Sequence, residues 1–246
     1  HCDVKPENIL CSIEQKESQT TNRLSLDYAT PLFDFQNGHL STESKSYDNL
    51  KNSNFLIQNC NPKFKLIDFG SCMFYDNDNN CFYLQSRYYR APEVVLQLPF
   101  DSKVDIWSLG CVAAELFLGL PLFPAKNDIH LISLIEKTIG KFPKSMQNMS
   151  PRQFMLFGSD GNLKSPDELI RINNCEDFTT NSKSYFIKEK LEDILNSYES
   201  EREEDNGGNR ELFIDLLKKM LTMNPEERMT AEEALDHLFF DIDFQD

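Results

Sequence analysis

The stretch from Val104 to Phe123 constrains this chain more than any other, because it is apolar around the whole circumference of a helix and not along one stripe. A helix of that kind is surrounded on all sides, either by lipid or by the other elements of a helical domain. Asp105 and Glu115 lie inside it, with Gly119 and Pro121 near its end. Carboxylates in a bilayer core are costly, so the stretch reads as the buried helix of a globular domain and not as a membrane span. At 246 residues the chain is long enough to wrap such a helix in a core.

Three more segments carry helical spacing. Asp128–Ile139 is apolar at Ile129, Leu131, Ile132, Leu134, Ile135 and Ile139, and Glu211–Leu221 repeats Leu212, Phe213, Leu216, Leu217, Met220 and Leu221. Thr230 and Glu233 form a capping box that opens a last short helix through Leu238. Strand signals are confined to Asn8–Cys11 and Phe64–Ile67. The fold class expected is therefore mainly α with a minor β element.

Between those strands lies Ser12–Pro62, rich in Ser, Asn, Gln, Lys and Glu, where a tight turn would suffice. It reads as an insertion, disordered in large part, with Tyr28–Phe35 and Asn54–Ile57 apolar enough to dock locally. Glu199–Gly208 reads as a solvated acidic loop. Asp and Glu outnumber Lys and Arg by 40 to 25, and the charge of −15 argues against nucleic-acid or anionic-membrane partners and for cationic ones. The seven cysteines form no C-x-x-C pair and only four histidines accompany them, so neither zinc nor a disulfide framework is indicated, and a reducing compartment is expected. The chain opens on His1 and not on Met, which suggests a piece of a longer product.

The chemistry-bearing residues fall in four runs. In HCDVKPENIL, Asp3, Lys5 and Asn8 put a carboxylate, a cation and a neutral oxygen ligand on one loop. That set suits phosphoryl transfer: Asp3 to accept a hydroxyl proton, Lys5 to offset phosphate charge, Asn8 to ligate Mg²⁺. Such residues also crowd ordinary turns, so the run by itself leaves both readings open. Asp68-Phe69-Gly70 follows the strand candidate, where a carboxylate can bridge a metal to phosphates and the glycine lets the chain turn. Ala91-Pro92-Glu93 and Asp105-Ile106-Trp107-Ser108-Leu109-Gly110 complete the series.

In this order the four runs resemble the protein kinase signature. The run YLQSRYYRAPEVVLQLPF, the run DIWSLGCVAAELFLGLPLFP and the Cys in His1-Cys2-Asp3 are similar to the dual-specificity tyrosine-regulated kinases and their Yak and homeodomain-interacting relatives. The similarity is close over His1–Cys11 and Phe64–Phe142, moderate over Asn209–Phe240, loose over Pro143–Gly208 and absent over Ser12–Pro62. It implies a catalytic loop at 1–11, an insertion at 12–62, a metal-binding and activation segment at 63–93, and a helical body at 94–246 with a variable insert at about 143–208.

The resemblance implies ATP and Mg²⁺ as cofactors. Asp3 would be the base and Lys5 would touch the transferred phosphate. Asn8 and Asp68 would hold the metal, and Leu10 would floor the adenine pocket. Arg90 would help accept a proline after the target residue. Asp105 would take backbone N–H bonds from the catalytic loop, and Glu93 would pair with Arg228. Tyr83, followed by Arg87 and Arg90, is expected as a regulatory phosphorylation site, since Cys2 replaces the arginine that commonly grips a phosphorylated loop. Cys81 stands where a first activation-loop tyrosine is common, and Cys2 and Cys72 are expected as reduced, packed thiols. Ser/Thr phosphorylation with tyrosine self-phosphorylation is implied, on protein substrates with basic ones among them, in the cytoplasm or nucleus. The family's glycine-rich loop, strand lysine and helix glutamate lie upstream of such a catalytic loop. The chain is thus expected to be a C-terminal lobe, inactive by itself. A non-catalytic scaffold with the insertion and acidic loop as docking surfaces is the alternative.

Overall fold

The computed structural model describes residues 1–14, 33–34, 39–40, 61–74, 84–179, 186–198 and 207–242. Two compact units divide the chain, one built from His1–Asn8 with Asp68–Asp243, the other from Ile9–Ile67 with Phe244–Asp246.

In the first unit the chain leaves Ala91 into a short helix, α1 (Pro92–Val95), whose first residue is a proline that needs no N–H there. The apolar run then forms α2 (Lys103–Leu118), which buries Val104, Ile106, Trp107, Cys111, Val112, Ala114 and Leu118 and ends on left-handed Gly119. Trp107 stacks on Phe123 with ring centroids 6.0 Å apart. Burial is not complete around the circumference: Leu109 is exposed and Leu116 is 75% exposed. Among the described residues no helix is long and apolar enough to cross a membrane.

α3 (Asp128–Thr138) is capped by Asn127, whose side chain accepts the His130 N–H. The loosely patterned region is itself helical, with α4 (Lys144–Met149), α5 (Gln153–Leu156), α6 (Pro166–Asn173) and α7 (Leu191–Asn196). α6 starts on a Ser165/Glu168 capping box and stops at left-handed Asn174. α8 (Gly207–Met220) packs on α2 at Gly110, where an added Cβ would meet the Leu221 side chain at 3.0 Å. α8 begins four residues before the expected Glu211, and so takes in Gly207 and Gly208. Glycine is tolerated there because the first turn has few intrahelical N–H bonds to lose. α9 (Ala231–Leu235) has the expected Thr230/Glu233 box but stops short of Leu238; Leu238–Asp241 is instead a 3-10 turn capped by the His237 side chain.

In the second unit β1 (Ile9–Glu14) is followed by β2 (Phe33–Asp34), β3 (His39–Leu40) and β4 (Asn61–Leu66). β1 and β4 pair antiparallel from Ile9↔Leu66 to Glu14↔Asn61, and β2 pairs with β3. Both long strands run past their expected ends, so Ser12–Glu14 and Asn61–Pro62 belong to the hairpin and not to the insertion. The backbone pairing shows this: the ladder runs on from Ile9↔Leu66 and Cys11↔Phe64 through Ile13↔Pro62 to Glu14↔Asn61 without a break in register. The expectation of disorder for most of Ser12–Pro62, and the acidic loop up to residue 206, lie outside the described residues.

Candidate active site

The loop that begins the chain is carried by α2. Asp105 in its first turn accepts the Cys2 N–H at 2.8 Å and the His1 amino group at 2.7 Å. Cys2 is buried and left-handed, with φ of 65°, which turns the chain so that Asp3 projects from the loop. A 3-10 turn, Pro6–Asn8, closes the loop, with the Asn8 N–H on the Lys5 carbonyl at 3.0 Å.

The two oxygens of Asp3 are shared among four donors. Oδ1 accepts the Ser86 hydroxyl at 2.7 Å and the Ser86 N–H at 3.2 Å. Oδ2 accepts Lys5 Nζ at 2.8 Å and Asn8 Nδ2 at 3.2 Å. Lys5 Nζ also donates to Ser86 Oγ at 3.1 Å, which closes a ring of base, cation and hydroxyl. Partial burial works to raise the Asp3 pKa, but the bonds from Lys5 and Ser86 prevail and hold it below its ordinary 3.8. The carboxylate is therefore ionised at neutral pH, and its lone pairs are fully used. An incoming hydroxyl must displace one of these donors to reach it.

Asn8 spends its amide nitrogen on Asp3, on the carbonyl at 2.9 Å as well as on Oδ2. That orients the amide and leaves its oxygen as the atom for a hard cation. Asp68 is exposed and left-handed, φ 60°, and caps the 3-10 turn Phe69–Ser71 by accepting the Gly70 N–H at 3.3 Å. A Cβ on Gly70 would sit 3.2 Å from that carboxylate, so the glycine makes room for it. Phe69 packs edge-on against His1 with centroids 4.8 Å apart, which brings the segment carrying Asp68 against the loop carrying Asp3. An amide and a carboxylate oxygen fit Mg²⁺, which takes one or two protein ligands and completes its shell with phosphate and water. Among the described residues no group of three His, Cys, Asp or Glu gathers to hold a metal. Leu10, expected under the adenine, lies in β1 opposite Lys65 and is exposed.

The segment that starts at Leu84 is locked on both sides. Gln85 is left-handed, φ 64°, and buried; its side chain donates to the Val104 carbonyl and Ser108 Oγ and accepts the Ala91 N–H. Its own carbonyl is taken by Arg90 Nη2 at 2.8 Å, while Arg90 Nε takes the Leu84 carbonyl at 2.8 Å. Arg90 is 2% exposed, so it sits beneath this segment and does not face solvent. Further on, Tyr89 donates to Glu115 at 2.8 Å. Burial raises the Glu115 carboxyl, and the negative charge of Glu7 raises it again.

Glu93 and Arg228 pair as expected, through two bonds of 2.7 and 2.8 Å between side chains that are 0% exposed. Cys2 and Cys72 are free thiols, but only Cys2 is packed; Cys72 is exposed, because the chain after the Phe69–Ser71 turn runs along the surface. Tyr83 and Cys81 lie outside the described residues. Three contributors were not anticipated. Ser86 joins Asp3 across 83 positions of sequence, and its only prior sign was its place in the run YLQSRYYRAPE. Glu7 and Glu115 come together near Tyr89 with no pattern linking them.

A carboxylate bonded to a lysine and an asparagine, with a second carboxylate on the adjoining segment that caps the Phe69–Ser71 turn, is an arrangement of the protein kinase kind. The protein kinase domain pattern matches residues 39–240, more than half of the chain, and the chain belongs to that family. It falls in the branch of the homeodomain-interacting, Yak and dual-specificity tyrosine-regulated kinases. It is 37% identical over 195 residues to homeodomain-interacting protein kinase 1 of Caenorhabditis elegans, covering 72% of this chain and 23% of that protein. It is 35% identical over 198 residues to the dual specificity protein kinase YAK1 of Saccharomyces cerevisiae, with 72% and 24% covered. The human dual specificity tyrosine-phosphorylation-regulated kinase 4 is 34% identical over 199 residues, with 80% and 34% covered. The chain thus spans about a quarter to a third of these relatives.

Proposed function

We propose that the protein carrying this chain transfers phosphate from ATP to Ser and Thr hydroxyls of protein substrates. The observation that carries the reading is the Asp3 carboxylate, kept ionised and held by Lys5, Asn8 and Ser86. Asp3 takes the proton of the incoming hydroxyl, as a positioned base does within hydrogen-bond reach. Lys5, 2.8 Å from it, offsets the negative charge that gathers around the reacting oxygen. Ser86 keeps the carboxylate aimed, and Asn8 and Asp68 would hold Mg²⁺. When bound, Mg²⁺ and ATP supply the phosphoryl group and neutralise its oxygens.

Two features support a choice of substrate. The Gln85 carbonyl is already bonded to Arg90, so a substrate N–H arriving there finds no acceptor; proline has no N–H to leave unpaired. Glu7 and Glu115 form an acidic pair that a basic side chain would relieve. The expected self-phosphorylation of Tyr83 is kept in the proposal with one change. Arg90 is occupied by two carbonyls and a carboxylate, so Arg87 is the side chain that would meet the phosphate first. The test is transfer from ATP by the full-length protein to Ser, Thr and Tyr peptides followed by Pro, with Mg²⁺. Transfer to Ser and Thr that is lost in Asp3→Ala is expected; no transfer, or transfer that survives the substitution, would refute the reading.

A further inference from the structure

Asp128 opens α3, in none of the four motif runs. Its Oδ1 accepts Arg90 Nη1 at 2.7 Å and lies 3.8 Å from Arg87 Nε. The same Arg90 guanidinium grips the Leu84 and Gln85 carbonyls with its remaining nitrogens. One buried side chain therefore spans from α3 to the segment beside the base. The residue that follows Gln85 is Ser86, which makes both hydrogen bonds to Asp3 Oδ1.

Gln85 holds a left-handed backbone that residues with a Cβ avoid. Its side chain is anchored to α2 and to Ala91, and the peptide that carries its carbonyl is held at two ends, by Arg90 Nη2 on the carbonyl and by Asp3 Oδ1 on the Ser86 N–H. The Arg90 end depends on where its guanidinium sits, and that is set from the far side by Asp128. A buried guanidinium without its carboxylate moves toward water. Arg87 is poorly placed to substitute, since its Nη1 is bonded to the Lys126 carbonyl and its side chain is more than a third exposed.

Resting on the kinase reading above, we infer that Asp128 is a positioning residue for substrate specificity: acting through Arg90, it aims the Gln85 carbonyl away from the substrate and so sets the preference for proline after the target hydroxyl. Without Asp128 the carbonyl is released and can accept a substrate N–H. Residues other than proline then gain a hydrogen bond that proline cannot make. Asp128 also lies in the first turn of α3, where a carboxylate favours the helix N-terminus. That role alone would move stability and leave selectivity untouched.

The experiment uses full-length protein as wild type, Asp128→Asn and Asp128→Glu. Two Ser peptides that differ only in Pro or Ala after the serine are compared by kcat/KM, and hydrogen exchange is followed over residues 84–90. Arg90 is buried but the Asp128 side chain is 31% exposed, so water replaces part of the lost carboxylate, and the Pro-to-Ala ratio should fall about fivefold in Asp128→Asn. Asp128→Glu should recover most of it, and exchange over 84–90 should quicken only in Asp128→Asn. An unchanged ratio in Asp128→Asn, with or without a lower melting point, would overturn the inference. Should wild type phosphorylate neither peptide, the kinase reading fails, and the inference is then decided by exchange: equal rates in wild type and Asp128→Asn would refute it.

Discussion

Replacing Glu93 by Gln should be among the most destabilising single-atom changes available in this protein. Arg228 spends both Nη atoms on Glu93, and also donates from Nε to the Thr222 carbonyl, from Nη1 to the Lys103 carbonyl and from Nη2 to the Met223 carbonyl. Its guanidinium lies 5.2 Å from the centre of the Trp107 ring. Neither partner has any exposed side-chain surface, so water cannot stand in for the lost charge. Breaking such a pair from one side costs about 3–5 kcal/mol. Gln keeps one acceptor and Arg228 keeps its three carbonyls, which argues for the lower end, about 3 kcal/mol. Against a total of about 5–15 kcal/mol that is a large fraction. With a urea m-value of about 3 kcal/mol/M the midpoint falls by about 1 M. Arg228→Met removes the three carbonyl bonds too and should cost more. The double variant should lose less than the sum of the two, because the second change removes a charge the first left unpaired. Equilibrium urea unfolding of the four proteins measures this. A Glu93→Gln loss below about 1 kcal/mol, or strict additivity, would refute the reasoning.

Ser86→Ala removes a donor from Asp3, so the Asp3 pKa rises toward its ordinary value. Because a depressed carboxyl keeps its ionised form down to a lower pH, the acid limb of kcat/KM should shift to higher pH in the variant; an unmoved limb would show that Ser86 does not tune the base. Joining Glu14 to Asn61 by a two-residue turn preserves the register of β1 and β4, and loop closure changes by only about 0.6 kcal/mol per doubling of length. The thermal midpoint should hold within a few degrees, and a collapse in soluble yield would place part of the excised chain in the core. Glu115→Gln should raise KM for a peptide with arginines beside its target and leave KM for a neutral peptide alone; equal effects on both would exclude the acidic pair as a basic-residue site.

What could be read from the sequence was carried by short-range chemistry. The buried Trp107 announced itself through the density of the apolar run and Thr230 with Glu233 through their spacing, whereas the role of Asp105 came from the family resemblance. Asp3, Lys5 and Asn8 lie within six positions and meet in space because one turn joins them. Glu93 and Arg228 were paired only through the family resemblance, since 135 positions separate them. Ser86 and Asp128 had no such guide. Each acts on a residue far along the chain, Asp3 or Arg90, and a serine or aspartate at the start of a turn or helix looks the same whether or not it does so. Arg90 was expected to help form the site that accepts a proline; its guanidinium is buried beneath the segment, on the Leu84 and Gln85 carbonyls and Asp128, because it is more fully satisfied there than on the surface. Local rules also failed at the hairpin, where pairing with a partner strand outweighed the polar composition of Ser12–Glu14.

The most direct test of the central claim compares wild type and Asp3→Asn full-length protein for turnover and for affinity toward Mg²⁺-ATP on the same preparations. Asn is isosteric and can keep the bonds to Ser86, but it cannot take a proton. General-base loss of this kind typically costs about 10²–10⁴-fold, so turnover should fall by that factor while nucleotide affinity stays within about threefold. Turnover undiminished in Asp3→Asn would contradict the assignment of Asp3 as the base and with it the account of this site.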